Sequence, residues 1–214
     1  MDSAVPTGQW FHSADSQRWW FDSGSLALDF AYTGGMGEPG RWEQLRGESD
    51  LSDWLGQRYA EVAEATERDL ADALTLRAAI ARLAQAASDQ EESSADDIDT
   101  LNLFAATPDI PPALGGGRRQ AGRSRVRAGQ VLSTIARDAV HLLATNVEGR
   151  IRECAADDCQ LVFYDESRTN NRRWCSMQRC GNRAKVRAFR TRSVGAIAQQ
   201  SQGASPDDAA LRRL

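Results

Sequence analysis

Four cysteines, Cys154, Cys159, Cys175 and Cys180, fall within 27 consecutive positions, and none lies elsewhere among the 214 residues. Their spacing is C-x4-C, fifteen residues, then C-x4-C. Each close pair can offer two thiolates from one tight turn, so two pairs brought together make the four-donor tetrahedral set of a structural zinc site. An iron–sulfur cluster or a pair of redox-switching thiols would use the same donors. Two structural disulfides are disfavoured in a reducing compartment. Cysteines so spaced read as the ligands of one structural Zn2+.

Arginine is the second residue type that could do chemistry. Positions 150–192 hold eleven Arg or Lys against five Asp or Glu, whereas the rest of the chain holds fifteen against twenty-five. A net charge of −4 therefore conceals about +6 beside about −10, the separation expected where one part meets a polyanion. A solvated basic surface would have the same composition. On a helix following Cys175, the side chains of Arg179, Arg183, Arg187 and Arg190 share an arc of roughly 80°. Lys185 and Arg192 flank the opposite side, and Arg168, Arg172 and Arg173 lie at or beside the preceding turn. Guanidinium groups bind phosphate bidentately and read guanine edges, so these nine side chains are the candidate nucleic-acid contacts. Salt bridges from this face to the acidic body are the structural alternative.

Little else suggests catalysis. There are two histidines, of which His141 projects from the polar side of its helix and His12 has no evident partner. G-x-S-x-G, G-x-x-x-x-G-K and H-E-x-x-H are all missing, so no catalytic residue is assigned and the chain reads as a non-enzyme. A scattered carboxylate site, with the metal as a structural clamp, is the enzymatic alternative.

The elements that must position these residues are mostly helical. Ser25 to Tyr32 is short and apolar, compatible with a strand or a first helix. A helix opens near Asp50, with Ser49 or Asp50 as its cap. Residues 67–87 place Ala73, Leu76, Ile80, Leu83, Ala84 and Ala87 on one face of an amphipathic helix. The polar run Ser88 to Asp97 reads as a loop, after which Ile98, Leu101, Phe104 and Ala105 form a third helix. Prolines, a glycine triplet and arginines make 108–127 an exposed hairpin or loop, and 128–146 is a fourth helix leading into the cysteine module. The aromatic leader, with Trp10, Phe11, Trp19, Trp20 and Phe21, is expected to fold back on the body.

Within the module, Gln160 to Asp165 is rich in strand formers and is followed by a polar turn and Arg172-Arg-Trp-Cys175, a hairpin signature. Ser176 can cap a helix running from Met177 to Arg192. Knuckle, hairpin and helix together make a treble-clef-like finger, whose short length requires the metal for folding. Phe163, Trp174 and Phe189 are the expected apolar cluster beside it. The fold class is thus mainly α. A helical domain spans 1–147, a finger spans 150–192 as a β-hairpin plus a basic helix, and a tail covers 193–214.

Residues 153–192, above all Trp174-Cys-Ser-Met and Cys180-Gly-Asn-Arg183-Ala-Lys185, resemble the CGNR zinc finger. The preceding body, through Gly24-Ser-Leu-Ala-Leu-Asp-Phe30 and Leu51 to Leu55, is similar to the ABATE domain, described as a putative stress-induced transcription regulator. That family commonly reads Leu-Asp-Phe-Val-Asn-Thr where this chain has Leu28-Asp-Phe-Ala-Tyr-Thr33, so Tyr32 stands in place of an asparagine. The resemblance implies a zinc-containing, DNA-binding regulator. Its helical domain would sense a signal in a pocket between helices and leader, lined by Asp29, Tyr32 and Trp42. An RNA- or protein-binding adaptor is the alternative use of the finger. No segment can span a bilayer and no targeting signal is evident, so a cytoplasmic location is expected. A homodimer is one option for the assembly.

Overall fold

The computed structural model describes residues 6–12, 18–36, 43–112, 125–146 and 149–191. Trp42, Arg192, the 193–214 tail and most of the 108–127 loop lie outside these residues.

Ser25 decides the segment that periodicity leaves open. Its hydroxyl accepts from the amides of Ala27 and Leu28, and this N-cap starts α1, Leu26–Ala31. Asp138 reinforces the end by accepting from Ser25 Oγ at 2.7 Å and Ala27 N at 2.8 Å. Helix α2 covers Glu48–Gly56 with Gly47 as its N-cap. Ser49 and Asp50 therefore lie inside the first turn, and Asp50 caps from there by accepting the Arg46 and Gly47 amides.

Helix α3, Glu67–Asp89, begins at a reciprocal Thr66–Asp69 capping box and ends where Gln90 turns left-handed. Helix α4, Ala95–Ala105, starts three residues before the expected Ile98. Asp96 and Asp97 suit an N-terminal turn, and Asp97 is buried against Arg82, whose Nε donates at 2.9 Å. Helix α5 is Ala128–Ala144.

Leu51, Trp54, Ala73, Leu76, Ile80, Leu101, Val131, Leu132 and Ile135 from these helices form the main core with Phe30 of α1. His141 is exposed on α5.

Among the described residues there are two small antiparallel hairpins. Strands β1, Gln9–His12, and β2, Arg18–Phe21, pair with Trp10 opposite Trp20 and Phe11 opposite Trp19. Alternation sends Phe11, Trp19 and Phe21 inward and leaves Trp10 and Trp20 exposed, so the leader folds back on the body as expected.

Strands β3, Ile151–Glu153, and β4, Val162–Tyr164, form the second hairpin. Its arms enclose the first cysteine pair. Residue pattern alone puts the hairpin between the two pairs, with Arg172-Arg-Trp as the second arm. Instead, 166–171 closes around the buried Asp165, which accepts the amides of Ser167 and Arg172 at 2.9 and 2.7 Å. Burial alone would raise the Asp165 pKa, but these hydrogen bonds and the Arg152 charge hold it below the usual range.

A π-helical turn, Met177–Gly181, follows and continues into α6, residues 182–191. Ser176 occupies the N-cap position, but its side chain makes no capping bond. The turn is closed by Gly181 N donating to Ser176 O at 3.0 Å. A Cβ on Gly181 would stand 2.7 Å from the Met177 sulfur, so any larger residue would have to displace that side chain.

Candidate metal centre and nucleic-acid interface

Three pieces of backbone bring the cysteines together. Cys154 follows β3, Cys159 closes the knuckle with its amide donating to Ala156 O, and Cys175 and Cys180 flank the π-helical turn. Their sulfurs all lie within 4.8 Å of one another. Cys159 to Cys175 is 3.6 Å and Cys175 to Cys180 is 3.5 Å. Zinc–thiolate bonds of ~2.3 Å place tetrahedral sulfurs about 3.8 Å apart, whereas a disulfide would bring them to ~2.0 Å. The donor set and its size therefore fit a single zinc site. The hydrogen bonds that Cys154 receives from Cys159 and Cys175 favour its thiolate, and those same contacts hold the Cys159 and Cys175 thiols protonated. Zn2+ would replace the shared protons and ionise the whole set.

The centre is embedded in apolar surface from both ends of the chain. Cys154, Cys175 and Cys180 pack in one cluster with Leu161 and Phe163 of the finger and with Phe11, Trp19, Phe21 and Tyr32 of the leader and α1. Trp174 packs on this cluster, but Phe189 is 65% exposed and belongs elsewhere. It lies on α6, after that helix has left the cluster, and the leader's aromatic rings occupy the place expected for it. Ile151 and Val162 of the finger hairpin pack against Leu28, Ala84 and Leu142 of the body.

The nine candidate nucleic-acid residues separate by what their side chains touch. Arg172 donates to the carbonyls of Trp174, Cys175 and Asp22, and lies 4.3 Å over the Phe163 ring. Arg179 stacks 4.7 Å over Trp19. Arg183 donates to Cys180 Sγ at 3.1 Å and to Asp158 at 2.9 Å, so it orients and stabilises a metal-ligating thiolate. These three are struts of the fold. Arg187, half-exposed, pairs with Asp157 and Asp158 at 3.3 and 3.2 Å. Arg168, Arg173, Lys185 and Arg190 are exposed or half-exposed, and Arg173 also rests 5.2 Å from the Trp174 ring. Arg192 lies outside the described residues. The face is thus not the row of four uncompensated arginines that helical spacing implies. Asp157 and Asp158, on the neighbouring knuckle, supply the counter-charge.

The three residues assigned to a ligand pocket also separate. Tyr32 is fully buried, and its hydroxyl donates to Val162 O at 2.9 Å while accepting from Val162 N at 2.7 Å. It pins α1 to β4 and packs within the cysteine cluster. Burial holds its pKa well above the usual tyrosine value. Asp29 is buried and accepts from Gly8 N at 2.5 Å and Ser23 Oγ at 2.6 Å. Desolvation raises its pKa to about 6, against the opposing pull of those bonds and of Arg58, 3.9 Å away. Trp42 lies outside the described residues.

A cleft of about 290 Å³ does open between the leader and α2, lined by Trp10, Trp20, Gln44, Trp54, Gln57 and Arg58. Asp29 stands behind its wall, joined to it through Gly8 and Arg58. Sequence reasoning missed Arg58 and Trp54, because in one dimension Trp54 is one apolar position of a helix and Arg58 one cation just past its end. Arg46 and Arg58 carry no local mark that separates an exposed cation from a buried one.

Ser23 links the two sites. Its hydroxyl donates to Asp29, and its carbonyl accepts from Tyr164 N at 2.8 Å. Beside it, Gly24 has φ +80°, and a Cβ there would stand 2.5 Å from Tyr164 O. The close seam between body and finger requires a glycine at that point.

Two family models match the chain. One, ABATE, described as a putative stress-induced transcription regulator, covers residues 24–146, and the other, the CGNR zinc finger, covers 150–193. No curated protein matches the chain.

Proposed function

The chain belongs to the ABATE family of putative stress-induced transcription regulators and carries a CGNR zinc finger, and from that membership we propose that it binds duplex DNA through the finger while the helical body senses a small molecule. The observation that carries this reading is helix α6. Residues 182–191 present Lys185, Arg187 and Arg190 outward and contain no Asp or Glu of their own. Zinc held by Cys180 and its three partner cysteines would fix their register, because Cys180 lies in the turn immediately before them. Arg168 and Arg173 on the adjoining loop add to the cationic surface.

The alternative of intramolecular neutralisation by the acidic body finds no support among the described ion pairs, since those of Arg183 and Arg187 end on Asp157 and Asp158 within the finger. Exposed pairs of this kind are worth only about 0–1 kcal/mol, so phosphate can compete for Arg187. The working location is cytoplasmic, and the role is not enzymatic. Among the described residues, no helix is long and apolar enough to cross a membrane.

The experiment is a titration of the zinc-loaded chain with a mixed-sequence duplex at several salt concentrations. Phosphate contacts make log K fall linearly with log salt, and Arg187→Ala with Arg190→Ala should lower that slope by about 0.9 for each phosphate no longer neutralised. An affinity indifferent to both salt and these substitutions would overturn the DNA reading. Arg183 is unsuited to this test, since it also supports a zinc ligand.

A further inference from the structure

We infer that the cleft between the leader hairpin and α2 is a binding site for a small aryl carboxylate, whose anionic group is held by Arg58 and whose ring lies among Trp10, Trp20 and Trp54. This deepens the sensor half of the proposed function and rests on it for its biological meaning, although the binding itself does not. The side chain of Arg58 is only 7% exposed although it carries a full positive charge. Its Nε has no hydrogen-bond partner among the described residues, and the nearest carboxylate oxygen, on Asp29, is 3.9 Å away, beyond direct hydrogen-bonding distance. Both Asp29 oxygens are already used, one by Gly8 N and the other by Ser23 Oγ. A buried guanidinium normally fills its donor fork, because desolvation is otherwise uncompensated. Here the residue that carries it lines an open cleft.

The rest of the cleft says what completes it. Trp54 is 4% exposed and stacks 3.8 Å from the guanidinium, and its own Nε1 is buried without an acceptor among the described residues. Two unfilled donors therefore belong to neighbouring side chains of one wall. Thr7, Gln9, Gln44 and Gln57 are its uncharged polar side chains, and Arg58 is the only ionisable one among the described residues that line the cleft. Such a lining selects an anion, and a planar guanidinium matches a carboxylate in particular. Trp10 and Trp20, 49% and 41% exposed and packed edge to face, form an aromatic mouth. That arrangement suits a flat apolar ring. The volume of about 290 Å³ limits the ligand to metabolite size.

The test uses the zinc-loaded full chain without DNA, titrated with benzoate, phenylacetate and indole-3-acetate, each beside its uncharged amide. Tryptophan fluorescence and the melting temperature are the readouts. At least one acid should give saturable binding, at least about tenfold tighter than its amide, since the amide cannot form the charge-assisted hydrogen bonds. Arg58→Gln should weaken it by about tenfold or more, and Arg58→Lys should recover part of the affinity. If Arg58→Gln does not fold, the acid-against-amide comparison on the native chain decides alone. No binding by any of the three acids, or equal binding of acid and amide, overturns the proposal. Acid binding that leaves DNA affinity unchanged supports the cleft and sinks the sensor reading, so the two can fail separately.

Discussion

The metal centre and the cleft both depend on polar groups gathered in apolar surroundings, yet they are assembled in opposite ways. The zinc ligands come from 27 consecutive positions, and the metal supplies the energy that draws them together. The cleft joins the leader hairpin to the end of α2, and no single segment contains it. What the contrast teaches is that the finger is not an appended bead. The leader that forms one wall of the cleft also covers the cysteine cluster with its inward face, through Phe11, Trp19 and Phe21. Trp10 and Trp20 on the outward face serve the cleft. Strand alternation alone therefore ties the two sites back to back.

The largest effect should come from removing a metal ligand. Cys175→Ser is expected to abolish zinc binding and, because the finger and the leader share one apolar cluster, to destabilise the body as well by about 3–5 kcal/mol, a fall of roughly 10 °C in melting temperature. Metal analysis with calorimetry checks this. An unchanged melting transition for the helical signal would mean that the finger folds independently of the body.

Next is Asp29, whose folded pKa of about 6 lies above the ordinary aspartate value of 3.8. The native state then binds more protons than the unfolded state between these values, so the contribution is complete below about pH 4 and lost as pH rises through about 6. Measured against Asp29→Asn, the native chain should lose about 3 kcal/mol of relative stability between pH 4 and pH 7, from 1.36 kcal/mol per pKa unit. Urea denaturation at a series of pH values would show it, and a flat difference would show that the cleft wall is not desolvated.

A smaller loss is expected at the seam. Tyr32→Phe removes the hydroxyl that satisfies both main-chain groups of Val162 and should cost about 2 kcal/mol in chemical denaturation. The smallest belongs to Arg187→Ala, which breaks only exposed pairs and should change stability by less than about 0.5 kcal/mol while still weakening DNA binding. Loss of folding there would make Arg187 another strut.

The same two regions differ in what could be read in one dimension. The helices of the body are legible because their apolar faces repeat at helical period, as at Ala73, Leu76, Ile80 and Leu83. Their ends are less so, since Asp97 looks like loop composition until Arg82 buries it. The hairpin of the finger is legible as a composition but not as a pairing, because β4 is flanked by a segment on each side that could pair with it, and Asp165 decides between them. Among the arginines, equal spacing suggests equal roles. Arg183 and Arg187 nevertheless part company, because only the former reaches a zinc-ligating sulfur.

Spacing along the chain is enough to reveal the zinc ligand set, the helical class of the body and the basic character of α6. Each is a local property, fixed by spacing within a few turns of chain. Assembly of the fold was needed to show that Tyr32 bonds across 130 positions to Val162, that Arg58 is buried with an unpartnered Nε, and that three of the arginines are struts. The physical reason is that burial and partnership are relations between segments distant in the chain, and a charge shows its role only when its surroundings are assembled.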